Sequence, residues 1–128
     1  MADVIAALEP ENGPGSHFGH RDHLRLGWSV LVTYGAEAGE EAVCTLIRIA
    51  ANANGFAERY HETMTRFWCR QMAPLLGGPD EAFDQFYDRN LVLHDKRLVA
   101  RFYSPELITS PEAIAGWVEP DLTPLPGE

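Results

Sequence analysis

Apolar residues recur along most of the chain at the spacing of amphipathic helices. Leu24, Trp28 and Leu31 stand at i, i+4 and i+7, which places them on one face of a helix. Gly19 can serve as the N-cap of that helix, and Gly35 provides a suitable end. The pattern therefore predicts a first long helix that begins at about residue 20.

The same periodicity predicts three more helices. A second covers about residues 38–53, a third about 57–76, and a fourth is capped by Asp80 and has a short continuation over 96–103. The third helix has the broadest apolar stripe of the chain, which consists of Tyr60, His61, Met64, Phe67, Trp68, Met72 and Leu75.

The C-terminal part is marked by prolines. Ser110-Pro111 matches an N-cap followed by proline at the first helical position, and it predicts a short helix that runs to about Val118. Three later prolines enforce an extended tail. Leu122 and Leu125 alternate in this tail and are placed to hold it on the bundle.

We therefore expect one all-α domain that spans residues 1–128. It has an N-terminal segment (1–16), a helical core (17–118) that forms a compact bundle of four to five helices, and an extended Pro-rich tail (119–128). A length of 128 residues and a hydrophobic fraction of 45% suit one domain with one core.

Charge and composition narrow the possible partners. The net charge of −9 argues against nucleic acid and anionic membranes, since both require a basic surface. The chain has neither a long apolar run nor a secretion signal, so we expect a cytoplasmic protein. Cys44 and Cys69 lack metal or redox spacing and are expected to be buried thiols. An exposed aromatic stripe could also support a homodimer.

Histidines form two groups that carry the candidate chemistry. One is His17-Phe-Gly-His20-Arg-Asp-His23, and the other is His61-Glu62. His20 shares the face of Leu24, and His61 begins the apolar stripe of the third predicted helix. If the first and third helices are parallel neighbours, their N-terminal ends meet and form a pocket between them.

One interpretation of this pocket is a metal-dependent enzyme that acts on a small polar metabolite. His20 and His23, at i and i+3, would ligate a divalent transition metal (Zn, Fe, Ni or Cu) together with His61, and Glu62 or Asp22 would add an oxygen. The His-Glu pair is not the His-Glu-x-x-His zinc motif, because no second histidine follows at the required spacing.

Two further interpretations use the same residues without a metal. In the first, His61 is an acid–base group supported by Glu62 and Tyr60, as in a lyase, isomerase or cyclase. In the second, the protein binds a ligand or a partner without catalysis, and its histidines are structural. His20 would then cap its helix, and His61 would hydrogen-bond a carbonyl or Asp22 across the bundle.

Five residues are candidates for contacts with a small-molecule ligand. Arg21 and Arg25, at i and i+4, could grip a carboxylate or phosphate. Trp28 and Trp68 could form walls of the pocket, and Thr65 adds a hydroxyl. In the tail, Asp121 is expected either to reach this site or to form part of a structural clasp.

Four strings of the chain resemble a family of small bacterial proteins. They are Phe18-Gly-His-Arg-Asp-His-Leu24, Tyr60-His-Glu-Thr-Met-Thr65, Arg101-Phe-Tyr-Ser104 and Trp117-Val-Glu-Pro-Asp-Leu122. The resemblance covers about residues 17–126 and implies one intact domain in which the histidine strings are worth testing. It implies no activity. Where the family often has a hydroxyl residue before the His-Arg-Asp-His run, this chain has Gly19.

Overall fold

A computed structural model describes residues 3–13, 18–53, 55 and 57–125. These residues form helices and no strand, which confirms the predicted all-α fold. The α-helices are α1 (Val4–Ala7), α2 (His20–Tyr34), α3 (Ala36–Ala53), α4 (Glu62–Met72), α5 (Phe83–Arg89), α6 (Pro105–Ile108) and α7 (Pro111–Ala115). Turns of 3-10 helix occur at Ala57–Arg59, Ala73–Leu75, Leu91–His94 and Lys96–Arg101.

α2 and α3 form a tight antiparallel hairpin. Gly35 ends α2 at the predicted position, with a φ of 89° that other residues rarely adopt. Gly39 then lets α3 pass directly against α2, because a Cβ atom at this position would lie 2.9 Å from the Cα of Leu31. This hairpin returns the chain so that α4 can pack beside α2.

Three predicted helix boundaries were wrong. The third helix begins at Glu62 and not near residue 57, because the chain before it forms a separate 3-10 turn and His61 is the N-cap. The fourth begins at Phe83, where Gln85 accepts the Ala82 amide, so Asp80 is not its cap. The short C-terminal helix ends at Ala115 and does not reach residue 118.

Two apolar clusters lie on either side of α4. The larger joins α2, α3 and α5 and includes Leu24, Trp28 and Met72. The smaller is formed mainly by the C-terminal third of the chain and packs around Phe67. Trp68 contacts both clusters. α4 is therefore the element that links the N-terminal hairpin to the C-terminal segments.

The tail is held by one buried side chain and by hydrogen bonds. Leu125 is 4% exposed, whereas Leu122 is 55% exposed, and the Leu122 amide donates to the Phe102 carbonyl. The Asp121 carboxylate accepts hydrogen bonds from the amide and the hydroxyl of Ser104, at 2.8 and 2.6 Å. Asp121 is thus part of a structural clasp.

None of the helices within the described ranges combines the length and the apolar character that crossing a membrane requires.

The close approach at Gly39 can be tested by substitution. Gly39→Ala should lower the free energy of unfolding by about 1–3 kcal/mol, because the added methyl overlaps the α2 backbone, even though alanine favours helices. Gly116→Ala is the control, since its methyl meets nothing closer than 3.9 Å. Urea unfolding measures both changes. A Gly39→Ala protein as stable as the parent would contradict the packing described here.

Candidate functional site

A cavity of about 210 Å³ lies between α2, α3 and α4, near the N-terminal ends of α2 and α4. Its polar lining consists of His20, His23, Arg59, Tyr60, His61 and Thr65. Its apolar lining includes Leu24, Val43, Ile47, Met64, Trp68 and Met72. Gly27 also lines it, and the end of the Met72 side chain occupies the space where a Cβ atom would stand. We call this cavity the histidine pocket.

His20 has one ring nitrogen bound and one without a partner among the described residues. Its Nε2 lies 2.7 Å from the carbonyl oxygen of Leu93, and a carbonyl can only accept, so Nε2 carries the hydrogen. Its ring also meets Trp68 edge-on, with the ring centroids 4.6 Å apart. No group among the described residues bonds to Nδ1. A neutral His20 therefore keeps an unshared lone pair on Nδ1.

Burial lowers the pKa of His20 below its usual 6.5, because it disfavours the charged imidazole. The hydrogen bond to Leu93 opposes this shift but does not cancel it, and Lys96 and His94 add to the lowering. Asp95 acts in the opposite direction with less effect. His20 is consequently neutral at neutral pH.

His61 has both ring nitrogens engaged by the backbone. Nδ1 accepts the amide hydrogen of Met64 at 3.1 Å and so caps α4, while Nε2 donates to the Ile108 carbonyl at 2.6 Å. The bond to a carbonyl matches the structural interpretation of His61. It leaves neither nitrogen available for a metal or for a proton from a ligand, so the prediction that His61 is the acid–base group is not supported.

Glu62 is bonded to the pocket residue Tyr60 and lies in a network of ion pairs. Its Oε1 accepts from the Tyr60 hydroxyl at 2.5 Å and from Arg48 at 3.0 Å, and its Oε2 accepts from Arg66 at 2.6 Å. Burial by itself would raise the pKa of Glu62, but these hydrogen bonds outweigh it and the net shift is downward. Glu62 is thus a fixed carboxylate that neutralises arginines, and the structure gives it no contact with the pocket.

Tyr60 and Thr65 line the pocket, but each already donates its hydroxyl hydrogen. Tyr60 donates to Glu62, and burial together with this bond raises the pKa of the phenol. Thr65 donates to the His61 carbonyl at 2.8 Å. Toward a ligand, both hydroxyls are therefore hydrogen-bond acceptors. They would not supply the proton that an acid catalyst must give.

Three predicted ligand contacts lie outside the histidine pocket. Arg21 pairs with Glu11 and Asp84. Arg25 donates to the carbonyls of Ala6 and Glu9 and so ties α1 to α2. Trp28 is 4% exposed and packs against aromatic side chains of α5. These three residues stabilise the fold, whereas the predicted contacts Thr65 and Trp68 do line the pocket.

The described residues contain no group of three His, Cys, Asp or Glu side chains placed to hold a metal ion. The physical reason is that the proposed ligands are used elsewhere. Both nitrogens of His61 and both oxygens of Glu62 are bonded, and the Asp22 oxygens accept the amides of Glu11 and Gly19. Asp22 thus caps the start of α2. His17 lies outside the described residues.

Sequence reasoning did not single out Arg59, Val43 or Ile47, which also line the pocket. Arg59 was hidden by the predicted third helix, in which it would lie one residue before the apolar stripe. A helix start at residue 62 would have placed it in a connecting segment beside Tyr60. Buried Cys69 faces the same cavity, and burial raises the pKa of its thiol, so it is not a nucleophile.

Comparison with protein-family models, with curated proteins and with solved structures yields no match to this chain. The resemblance of the histidine strings to a small bacterial family therefore stays a prediction.

The capping role of His61 predicts a graded loss of stability. His61→Ala should lower the free energy of unfolding by about 2 kcal/mol, because it removes a helix cap worth ~1 kcal/mol and a hydrogen bond of similar size. His61→Asn keeps a cap acceptor and should recover about half of the loss. Chemical denaturation measures the series. Equal stability of all three proteins would refute the capping role.

The lowered pKa of His20 predicts a pH dependence of stability. Between the folded pKa and the unfolded value of about 6.5, the unfolded state binds more protons, so stability falls as the pH drops through this window. His20→Gln should flatten that part of the profile. Urea midpoints from pH 7.5 to pH 5, with an NMR titration of His20, measure both effects. A titration midpoint at or above the ordinary value would contradict the lowered pKa.

Proposed function

We propose that this protein binds a small molecule in the histidine pocket and that His20 removes a proton from it, without a metal ion. The observation that carries the proposal is the bond from His20 Nε2 to the Leu93 carbonyl. This bond fixes the tautomer of His20 and leaves Nδ1 as the nitrogen that can accept a proton. His20 takes the role that the sequence suggested for His61.

The state of His20 suits a general base. A base works best when it is unprotonated at the working pH and retains enough affinity for a proton. The lowered pKa of His20 supplies the first condition. The Leu93 carbonyl supplies the second, because a hydrogen bond from Nε2 to an oxygen becomes stronger when the ring gains a charge.

The position of the ring is fixed before any ligand arrives. The Leu93 carbonyl holds one edge of the imidazole, and Trp68 packs against the ring. A catalytic group that does not have to be ordered during the reaction saves much of the entropic cost of reaching the transition state. A freely rotating surface histidine lacks this advantage.

The pocket also provides an apolar surrounding for the transfer. Its walls come from α2, α3 and α4 and are largely aliphatic and aromatic side chains. An environment from which water is excluded strengthens electrostatic interactions at the reacting atoms. At about 210 Å³ the cavity lies below the ~300–1,000 Å³ typical of pockets for drug-sized ligands, so the ligand should be small.

The proposal can be tested with a generic substrate. 5-Nitrobenzisoxazole opens to a coloured phenolate when a base removes its carbon-bound proton, so absorbance reports proton transfer. We expect catalysis by the parent protein and a loss of about 100-fold in His20→Gln, the usual contribution of a positioned base. The rate should be constant above the pKa of His20 and fall below it.

Two further variants act as controls for this assay. Gly27→Leu adds a side chain where the pocket and the end of Met72 lie, and it should reduce the rate by excluding the substrate. Arg101→Gln changes an exposed residue outside the pocket and should leave the rate unchanged. An equal rate in His20→Gln and the parent would contradict the proposal. So would a rate that appears only when zinc or nickel is added.

A further inference from the structure

The charge of the histidine pocket is opposite to that of the whole chain. The chain has 19 acidic residues and a net charge of −9. Among the described residues that line the pocket, none is acidic, while Arg59 and His23 are present beside His20 and His61. An acidic protein thus places a permanent positive charge, that of Arg59, and no carboxylate among the described residues of this lining.

The buried carboxylate that is bonded to a pocket residue does not alter this conclusion. Glu62 binds Tyr60 at the pocket wall, but Arg48 and Arg66 pair with it directly. Arg66 and Arg70 also pair with Glu40, and Arg66 pairs with Glu41. Three arginines balance three glutamates in this network, so it adds little net potential to the pocket.

The arrangement of polar and apolar side chains in the histidine pocket favours one type of ligand. Trp68 and Met72 belong to the apolar lining, which suits a ring or a short branched chain. Arg59 and His23 are exposed, so they lie at the solvent side, where a charged end can keep part of its hydration. A ligand that matches both parts has an apolar body and one anionic end.

We propose that the histidine pocket binds a small organic monocarboxylate, with its ring or branched chain against Trp68 and Met72 and its carboxylate beside Arg59 and His23. This inference rests on the proposed function of the pocket as a ligand site. An engineered apolar cavity of ~150 Å³ holds one benzene ring, so a cavity of about 210 Å³ accommodates one ring with a substituent.

Arginine is the residue suited to recognise this end of the ligand. Its guanidinium offers parallel donors that match the two oxygens of a carboxylate, and it remains charged at every working pH. Arg59 and His23 also have interactions within the protein, so the carboxylate competes with these. We therefore expect binding of moderate strength with a clear preference for the charged form.

Matched pairs of ligands test the preference directly. The probes are benzoate with benzamide, and cyclohexanecarboxylate with its amide, because each pair has the same shape and differs in charge. Binding is measured by calorimetry and by the NMR shift of the Trp68 indole. We expect each carboxylate to bind at least about tenfold more tightly than its amide, since charge-assisted hydrogen bonds are about twice as strong as neutral ones.

Two arginine variants show which group recognises the carboxylate. Arg59→Gln should remove the preference for the carboxylate and leave the weak binding of the amide unchanged. Arg101→Gln makes the same change of charge at an exposed residue that does not line the pocket, and it should keep the preference. Circular dichroism confirms that both variants are folded.

The outcomes separate this inference from the proposed function. If acid and amide bind equally well, or if Arg59→Gln keeps the tenfold preference, the pocket binds ligands but the anion inference is wrong. Tighter binding of benzylamine than of benzoate would also overturn it. If no probe shifts the Trp68 signal, the histidine pocket is not a ligand site of this size, and both proposals fail.

Discussion

The two hydrogen bonds of His61 determine where α4 begins and what it contacts. Nδ1 accepts the Met64 amide and so ends the preceding segment, and Nε2 reaches the Ile108 carbonyl at the end of α6. α4 separates the two apolar clusters, so the same imidazole that starts this helix also ties the C-terminal segments to it. With that start fixed, Thr65 and Trp68 of α4 face the histidine pocket and Glu62 joins the arginine network.

His20 and His61 share one feature and differ in another. Each uses Nε2 to donate to a backbone carbonyl, of Leu93 and of Ile108 respectively. The difference lies at Nδ1, which caps α4 in His61 and has no partner among the described residues in His20. Both ring nitrogens of His61 are therefore used in hydrogen bonds within the fold. His20 is oriented by its Nε2 and keeps a lone pair on Nδ1. This asymmetry helps to explain why the described residues contain no group of three His, Cys, Asp or Glu side chains placed to hold a metal ion.

Local periodicity was enough to predict the helices and the pocket between α2 and α4. The Leu24 face located α2, and Gly35 ended it where expected. The start of α4 was misplaced because histidine is not among the usual N-cap residues, so its cap looked like the first member of an apolar stripe. The roles of His20 and His61 depend on the carbonyls of Leu93 and Ile108, which lie 73 and 47 residues away in the chain. Backbone oxygens have no signature in the sequence.

The candidate arginines show the same limit of prediction from local sequence. The spacing of Arg21 and Arg25 suggested an anion site. Their partners are the carboxylates of Glu11 and Asp84 and the carbonyls of Ala6 and Glu9, which helix periodicity cannot identify. Arg59 gave no signal because it was placed in a first turn of the third helix, where the chain forms a separate 3-10 turn instead. For Arg21 and Arg25 the missing information is a set of contacts with other segments, and for Arg59 it is the true start of α4.

The central claim is that His20 is available for chemistry and His61 is not, and diethyl pyrocarbonate tests it most directly. This reagent acylates unprotonated imidazole nitrogens, and mass spectrometry of peptides locates each adduct. At pH 6.5 to 7 we expect His20 to react while the protein stays folded. His61 should react at least about tenfold more slowly, because its nitrogens become accessible only when α4 opens locally. Faster modification of His61 than of His20 would contradict the account.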